Sequence, residues 1–220
     1  FMKQGYFTQN IGKIYHNWGQ NKEKGDAPSW SVPAVMHYAS HYHDTVRVDG
    51  QKPGRISKNP KCFRKDVPDE AYFDGRVANL AIKALRERKE AGRPFFLAVG
   101  FWKPHAPFNA PSKYWDLYDR SKLSRPANPE WPRDAPRIAW HNSREILGGG
   151  KQRKLSEKDV MEMRHGYLAA ITYFDAQLGK VLAELDRLGL REKTVVVFWS
   201  DHGFHLGEHS LWAKTSNFEL

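Results

Sequence analysis

The sequence predicts an α/β protein, a three-layer sandwich in which a mostly parallel sheet carries helices on both faces. Two runs, Phe95–Phe101 (FFLAVGF) and Thr194–Trp199 (TVVVFW), are apolar without alternation, as strands covered on both faces are. Each follows a stretch with helical apolar spacing, so strand, helix, strand, long helix and strand succeed one another along the chain. Only three strands are legible, fewer than a typical sheet holds, so the sheet is expected to be incomplete in this chain.

Taken in order, Phe1–Gly5 reads as the end of a helix, and Tyr6–Ile14 as a short strand running into Gly12 and Lys13. Trp18–Pro68 has no sustained period and reads as a long loop, a feature that is usually functional or disordered. Asp69–Ala91 reads as a helix: Val77, Leu80, Ala81, Ala84 and Leu85 recur at three- and four-residue spacing, and Gly92 and Pro94 end it. The Phe95–Phe101 strand exits into Lys103, Pro104 and His105. Ser112–Tyr118 reads as a short helix and Ser121–Gly150 as irregular. Ser156 with Asp159 forms a capping pair. The long helix after it is expected to present Tyr167, Leu168, Ile171, Phe174, Leu178, Val181, Leu182 and Leu185 on its buried face, and Gly189 stops it. The chain then enters Thr194–Trp199.

At 220 residues and 40% hydrophobic composition, the chain is long enough to bury a core. No apolar run approaches the roughly 20 residues that span a bilayer. The net charge of +10 favours polyanionic partners. A single cysteine, Cys62, rules out an internal disulfide. The chain begins inside an apparent element and is read as a piece of something larger.

Three clusters carry candidate chemistry: Lys13 with His16, Lys103 with His105, and Asp201 and His202 with Lys214. Each follows an expected strand, where open α/β sheets place their chemistry, so all three are expected to gather on one rim of the sheet. Lysines and histidines aimed at one point suit a tetrahedral oxyanion or sulfate ester, because they offer charged donors to its oxygens. Taken singly, each cluster reads better as a surface lysine beside a loop histidine; three at strand exits are less easily dismissed. His37, His41 and His43 lack the HExxH pattern and are not read as a zinc site. Glu208 and His209 read as structural, Trp212 as packing, and Phe204 as either pocket wall or packing. Cys62 reads as an inert buried or loop thiol.

Ser200–Glu219 (SDHGFHLGEHSLWAKTSNFE) closely resembles the second metal-and-sulfate motif of the type I sulfatases, in the branch that includes iduronate-2-sulfatase. Gly12–Asn17 (GKIYHN) resembles the segment whose Lys and His flank the nucleophile, with the wider Lys-x-x-His spacing of that branch. Phe95–Phe108 (FFLAVGFWKPHAPF) resembles the segment that supplies a sulfate-contacting His.

The resemblance implies an alkaline-phosphatase-like fold, with residues 1–220 forming part of a catalytic domain that hydrolyses sulfate esters of a sulfated carbohydrate. Lys13, Lys214 and His105 would hold the sulfate, and His105 would also protonate the leaving alcohol. His16 would take a proton from the nucleophile's second hydroxyl. Asp201 and His202 would bind a divalent cation, with Ca2+ expected. His202 stands where many sulfatases have Asn, and calcium prefers oxygen ligands. The formylglycine nucleophile, made from Cys/Ser-x-Pro-x-Arg, has no counterpart in the chain (Cys62 is followed by Phe63 and Arg64 without the proline) and is expected upstream of Phe1. The smaller C-terminal subdomain is expected after Leu220. The isolated piece is therefore expected to be inactive. Neither nucleic acid nor a membrane is an expected partner, the oligomeric state stays open, and the family suggests a periplasmic, secreted or lysosomal location. Two rivals remain: a phosphoesterase or phosphonate hydrolase of the same superfamily, and a non-catalytic polyanion-binding module.

Overall fold

A computed structural model describes residues 1–16, 25–37, 62–139, 144–147 and 155–216. In chain order these form strand β1 (Phe7–Gly12), strand β2 (Cys62–Lys65), helix α1 (Phe73–Ala91), strand β3 (Phe95–Gly100), strand β4 (Phe108–Pro111), and the short helices α2 (Ser112–Trp115) and α3 (Arg144–Leu147). The long helix α4 (Glu157–Arg187) and the two-residue strands β5 (His205–Leu206) and β6 (Trp212–Ala213) complete them. The chain divides into two compact units. The first is Phe1–Arg55, Asp66–Lys103 and Ile171–Val195; the second is Ile56–Lys65, Pro104–Ala170 and Val196–Leu220.

In the first unit β1 and β3 run parallel in register from Phe7 opposite Phe95 to Gly12 opposite Gly100, the pairing expected of strands joined by a helical crossover. Helix α1 covers them with Val77, Ala78, Ala81, Ala84 and Leu85, all buried, and with Leu80 partly buried beside them; Ile11, Phe73, Trp102, Val181 and Leu185 complete the cluster. Burial of each Val or Leu there contributes about 1.5–3 kcal/mol. Gly92 ends α1 in the left-handed conformation (φ 61°). Phe1–Gly5 is a single 3-10 turn over Met2–Gln4. β3 is half-buried along most of its length rather than fully covered.

The long helix begins where the capping pair places it, the Asp159 amide donating to Ser156 Oγ (3.1 Å), and Gly189 follows its end with φ 64°. Its most buried line differs from the expected face. Ile171 is 37% exposed, whereas Tyr173 and Gln177 are fully buried. The cause is a polar network that apolar spacing does not register. Tyr173 Oη accepts from the Gly75 amide (2.7 Å) and donates to the Asp69 carbonyl (2.9 Å). Gln177 Nε2 donates to the Asp69 carboxylate (3.1 Å), which also receives Lys180 Nζ (2.6 Å).

The second unit holds two further pairs: β2 with β4, parallel, and β5 with β6, antiparallel. β2 lies inside the stretch expected to be loop; its four residues, CFRK, are too few and too polar to register as a strand. Ser121–Gly150 likewise contains 3-10 turns and α3 among its described residues. The core packs Ala106, Phe108, Ile146, Met163, Ala170, Trp212 and Ala213 together, so Trp212 is a packing residue. His41 and His43 fall outside the described residues.

Thr194–Trp199 corrects the sequence reading. The run is not a buried strand: no ladder forms on it among the described residues, and Val195, Val197, Phe198 and Trp199 are 89%, 69%, 68% and 75% exposed. An apolar strand of this kind is buried only when neighbours hydrogen-bond to both its edges and layers cover both its faces, and none of the described strands does so.

Candidate functional site

At the end of β1 and β3 the backbone is drawn tight. The Lys13 amide donates to the Gly100 carbonyl (2.6 Å). Gly12, at φ 84°, and Gly100 permit this approach: a Cβ on Gly12 would lie 2.1 Å from Gly100 O, and one on Gly100 2.0 Å from Lys13 O. Lys13 therefore leaves β1 beside the exit of β3. His16 lies beyond it and is exposed.

The β3 exit is fixed by a residue the sequence reading passed over. Asp74, in the first turn of α1 and fully buried, accepts hydrogen bonds from the amides of Trp102 (2.7 Å) and Lys103 (2.9 Å). Lys103 is buried as well. Burial lowers its ammonium to about 7, partly offset by the Asp74 charge. Burial raises Asp74, against the pull of Lys103 and the two backbone donors.

In the second unit His105 and Lys214 meet although they are 109 positions apart: Lys214 Nζ lies 3.3 Å from His105 Nε2. His105 Nδ1 is 2.7 Å from the Ala106 carbonyl, which fixes Nδ1 as the donor and turns Nε2 toward the lysine. A third side chain completes the group. Glu145, on α3, forms an ion pair through Oε2 with Lys214 Nζ and places Oε1 3.3 Å from His105 Nε2. Glu145 lay in the irregular stretch, and nothing in its sequence neighbourhood marked it. The Phe204 ring lies 5.9 Å from Lys214 Nζ and packs on Phe108 and Tyr167. Lys214 and His105 are each about one-sixth exposed, at 17% of side-chain area, so the Lys214–Glu145 ion pair sits in a partly dry setting where charge–charge attraction exceeds its value in water.

The segment between Asp201 and Lys214 is pinned. Arg164 donates to the Leu206 carbonyl (3.0 Å) and the Glu208 carboxylate (2.9 Å), and Glu208 in turn accepts from the Leu206 amide (2.7 Å). His209 binds through its backbone, donating to the Asn128 carbonyl (2.5 Å). Glu208 is thus structural, and Arg164 is the partner the sequence did not reveal. Ala213, buried ahead of Lys214, holds φ 72°, a left-handed conformation that non-glycine residues rarely keep outside constrained sites.

Asp201 and His202 are adjacent and solvent-facing, with Asp201 Oδ2 3.5 Å from His202 Nε2. His202 Nδ1 lies 2.6 Å from the Gly203 carbonyl, leaving Nε2 as the ring's open acceptor. A carboxylate and an imidazole suit a divalent cation in kind but fill only two of the roughly six positions it requires. Among the described residues no cluster of three or more His, Cys, Asp or Glu forms a complete site. The structure thus pairs His105 with Lys214 and Asp201 with His202 in the second unit, while Lys13 and His16 belong to the first.

Strands β1 and β3 with helix α1 between them form a parallel β–α–β unit, the arrangement of an α/β protein. The sequence profile of the family described as Sulfatase matches residues 1–219, and the chain belongs to the sulfatase family. It is 34% identical to iduronate 2-sulfatase of Mus musculus over 232 residues, covering 100% of this chain and 42% of that protein. It is also 34% identical to choline-sulfatase of Rhizobium meliloti over 160 residues, 70% of this chain and 31% of that protein. Among solved structures, the phosphonate monoester hydrolase of Agrobacterium radiobacter superposes with a TM-score of 0.64 at 20% identity, over 99% of this chain and 49% of that one; this likeness speaks to the fold. The chain spans about two fifths of the length of the iduronate 2-sulfatase it matches.

Proposed function

We propose that residues 1–220 are part of the catalytic domain of a sulfuric ester hydrolase that removes sulfate from a sulfated carbohydrate. The supporting observation is the pairing of Lys214 Nζ with His105 Nε2 at 3.3 Å around a carboxylate, an arrangement built to receive an oxyanion. Lys214, His105 and Lys13 bind the sulfate oxygens. His105 Nε2 delivers a proton to the leaving alcohol oxygen, and His16 accepts one as sulfate is released. Asp201 Oδ2 and His202 Nε2 provide two ligands for a divalent cation, Ca2+ by family, the remainder coming from elsewhere in the enzyme. A formylglycine supplied outside this sequence would bring the nucleophile, and the cation would polarise the sulfate oxygens.

The test is the full-length enzyme containing this chain, assayed on an aryl sulfate and on the matching aryl phosphonate with and without chelator. The expected result is preferential sulfate hydrolysis that is lost on metal removal, with Lys214→Ala or Lys13→Ala lowering turnover at least about 100-fold. Wild-type rates in either variant, or preference for the phosphonate, would overturn the assignment.

A further inference from the structure

We propose that Glu145 is an internal stand-in for the substrate anion: its carboxylate holds the Lys214 ammonium beside His105 until a sulfate ester displaces it. The inference rests on the reading of those two residues as sulfate-binding groups and extends it to a residue that reading does not include.

One carboxylate oxygen pairs with Lys214 Nζ and the other faces His105 Nε2 at 3.3 Å, so the carboxylate occupies the place beside those two groups that a sulfate would need. Two anions cannot share that place without strong like-charge repulsion, so ester binding requires the carboxylate to leave. Its backbone need not follow. The neighbouring Ile146 is fully buried in the core with Phe108 and Trp212, and α3 packs on β6. Rotation about the Glu145 side-chain bonds is enough to withdraw the charge, and at 26% exposure the side chain has solvent on one flank to receive it. The consequence is quantitative. Where a site is competent only in the fraction of molecules that have released their own anion, apparent affinity falls by that fraction.

The experiment compares wild-type and Glu145→Gln full-length enzyme, measuring kcat and KM for an aryl sulfate and the inhibition constant of inorganic sulfate. If the carboxylate holds the Lys214 ammonium about four-fifths of the time, KM and the sulfate inhibition constant both fall about five-fold, with kcat changed less than about two-fold. Glu145→Asp, too short to reach both groups at once, should shift both constants in the same direction by less. It also decides the matter if Glu145→Gln fails to fold. Both constants unchanged, or both raised, would overturn the proposal. Failure of the underlying reading looks different: wild-type enzyme inactive on the ester, or Lys214→Ala leaving sulfate inhibition unaltered, would remove the anion site itself.

Discussion

The Asp74 carboxylate and the Lys103 backbone are tied by a 2.9 Å hydrogen bond, with the Trp102 amide bound to the other carboxylate oxygen at 2.7 Å. The first turn of α1 thereby fixes the end of β3, two residues before His105. The Lys103 ammonium, buried beside this carboxylate, titrates near 7 because burial disfavours its charge.

Two effects follow for Lys103→Met. The charge that pulls buried Asp74 down is lost while its two backbone donors remain, so the substitution destabilises by no more than about 3 kcal/mol. The second effect is a pH signature. Between about 7 and the ordinary lysine value near 10.4, the unfolded chain holds a proton that the folded chain has shed, so this group adds stability as pH rises. Asp74 acts oppositely in acid: its raised carboxyl contributes stability that is full below its unfolded value and is lost as pH climbs through the folded one. Urea titrations at pH 7 and 9 should show the gap between wild type and Lys103→Met widening by up to about 1.4 kcal/mol per pH unit. A constant gap would mean that Lys103 keeps its charge.

The close approach of β1 and β3 at Gly12 and Gly100 makes a steric prediction. In Gly100→Ala the new methyl would sit 2.0 Å from the Lys13 carbonyl oxygen, against backbone that cannot rotate away. Overpacking of this kind costs about 1–3 kcal/mol, and the upper end is expected from the denaturation midpoint. Gly179, in α4 with nothing within 4 Å of a Cβ, is the control: Gly179→Ala should stabilise by about 1 kcal/mol. If both substitutions behaved alike, the tight exit would be wrong.

What sequence could and could not reveal follows from which interactions are local. β1, α1, β3 and α4 were legible because apolar periodicity and end signals such as Ser156, Gly92 and Gly189 lie within the element they define. The buried line of α4 was misplaced because Tyr173 and Gln177 are held by Asp69, more than a hundred residues away. Asp74 sat in plain view as a first-turn acid, yet its partners lie across the crossover. Glu145 had no local mark at all, since its role depends on His105 and Lys214, 40 and 69 positions away. Thr194–Trp199 was read correctly as strand-like in composition and wrongly as buried, because composition describes an appetite for neighbours and does not supply them.

That appetite is testable. Val195–Trp199 presents five consecutive apolar side chains, 46–89% exposed, the profile of a segment that pairs with other chains. The 220-residue chain should show concentration-dependent light scattering that Val197→Lys suppresses. Val197 is 69% exposed, so the substitution should change stability by less than about 0.5 kcal/mol. Scattering unaffected by the charge would clear this segment; a large loss of stability would show that Val197 is packed.

Cys62 offers a chemical readout of the second unit. Its thiol is pushed up to about 12, first by burial and then by the nearby Glu162 carboxylate. The thiolate is the reactive form, so the folded chain at pH 8 should react with a disulfide reagent roughly 30- to 100-fold more slowly than the urea-unfolded chain, once the greater nucleophilicity of a more basic thiolate is allowed for. The two causes can be separated. Glu162→Gln removes the repulsive charge but leaves the packing, so it should accelerate the folded-state reaction only modestly. Gly166→Ala, whose methyl would lie 2.7 Å from Cys62 Cβ and 2.8 Å from the Trp115 ring, should loosen the packing and accelerate it more. The reverse order would make the carboxylate, not burial, the principal cause of the thiol's inertness.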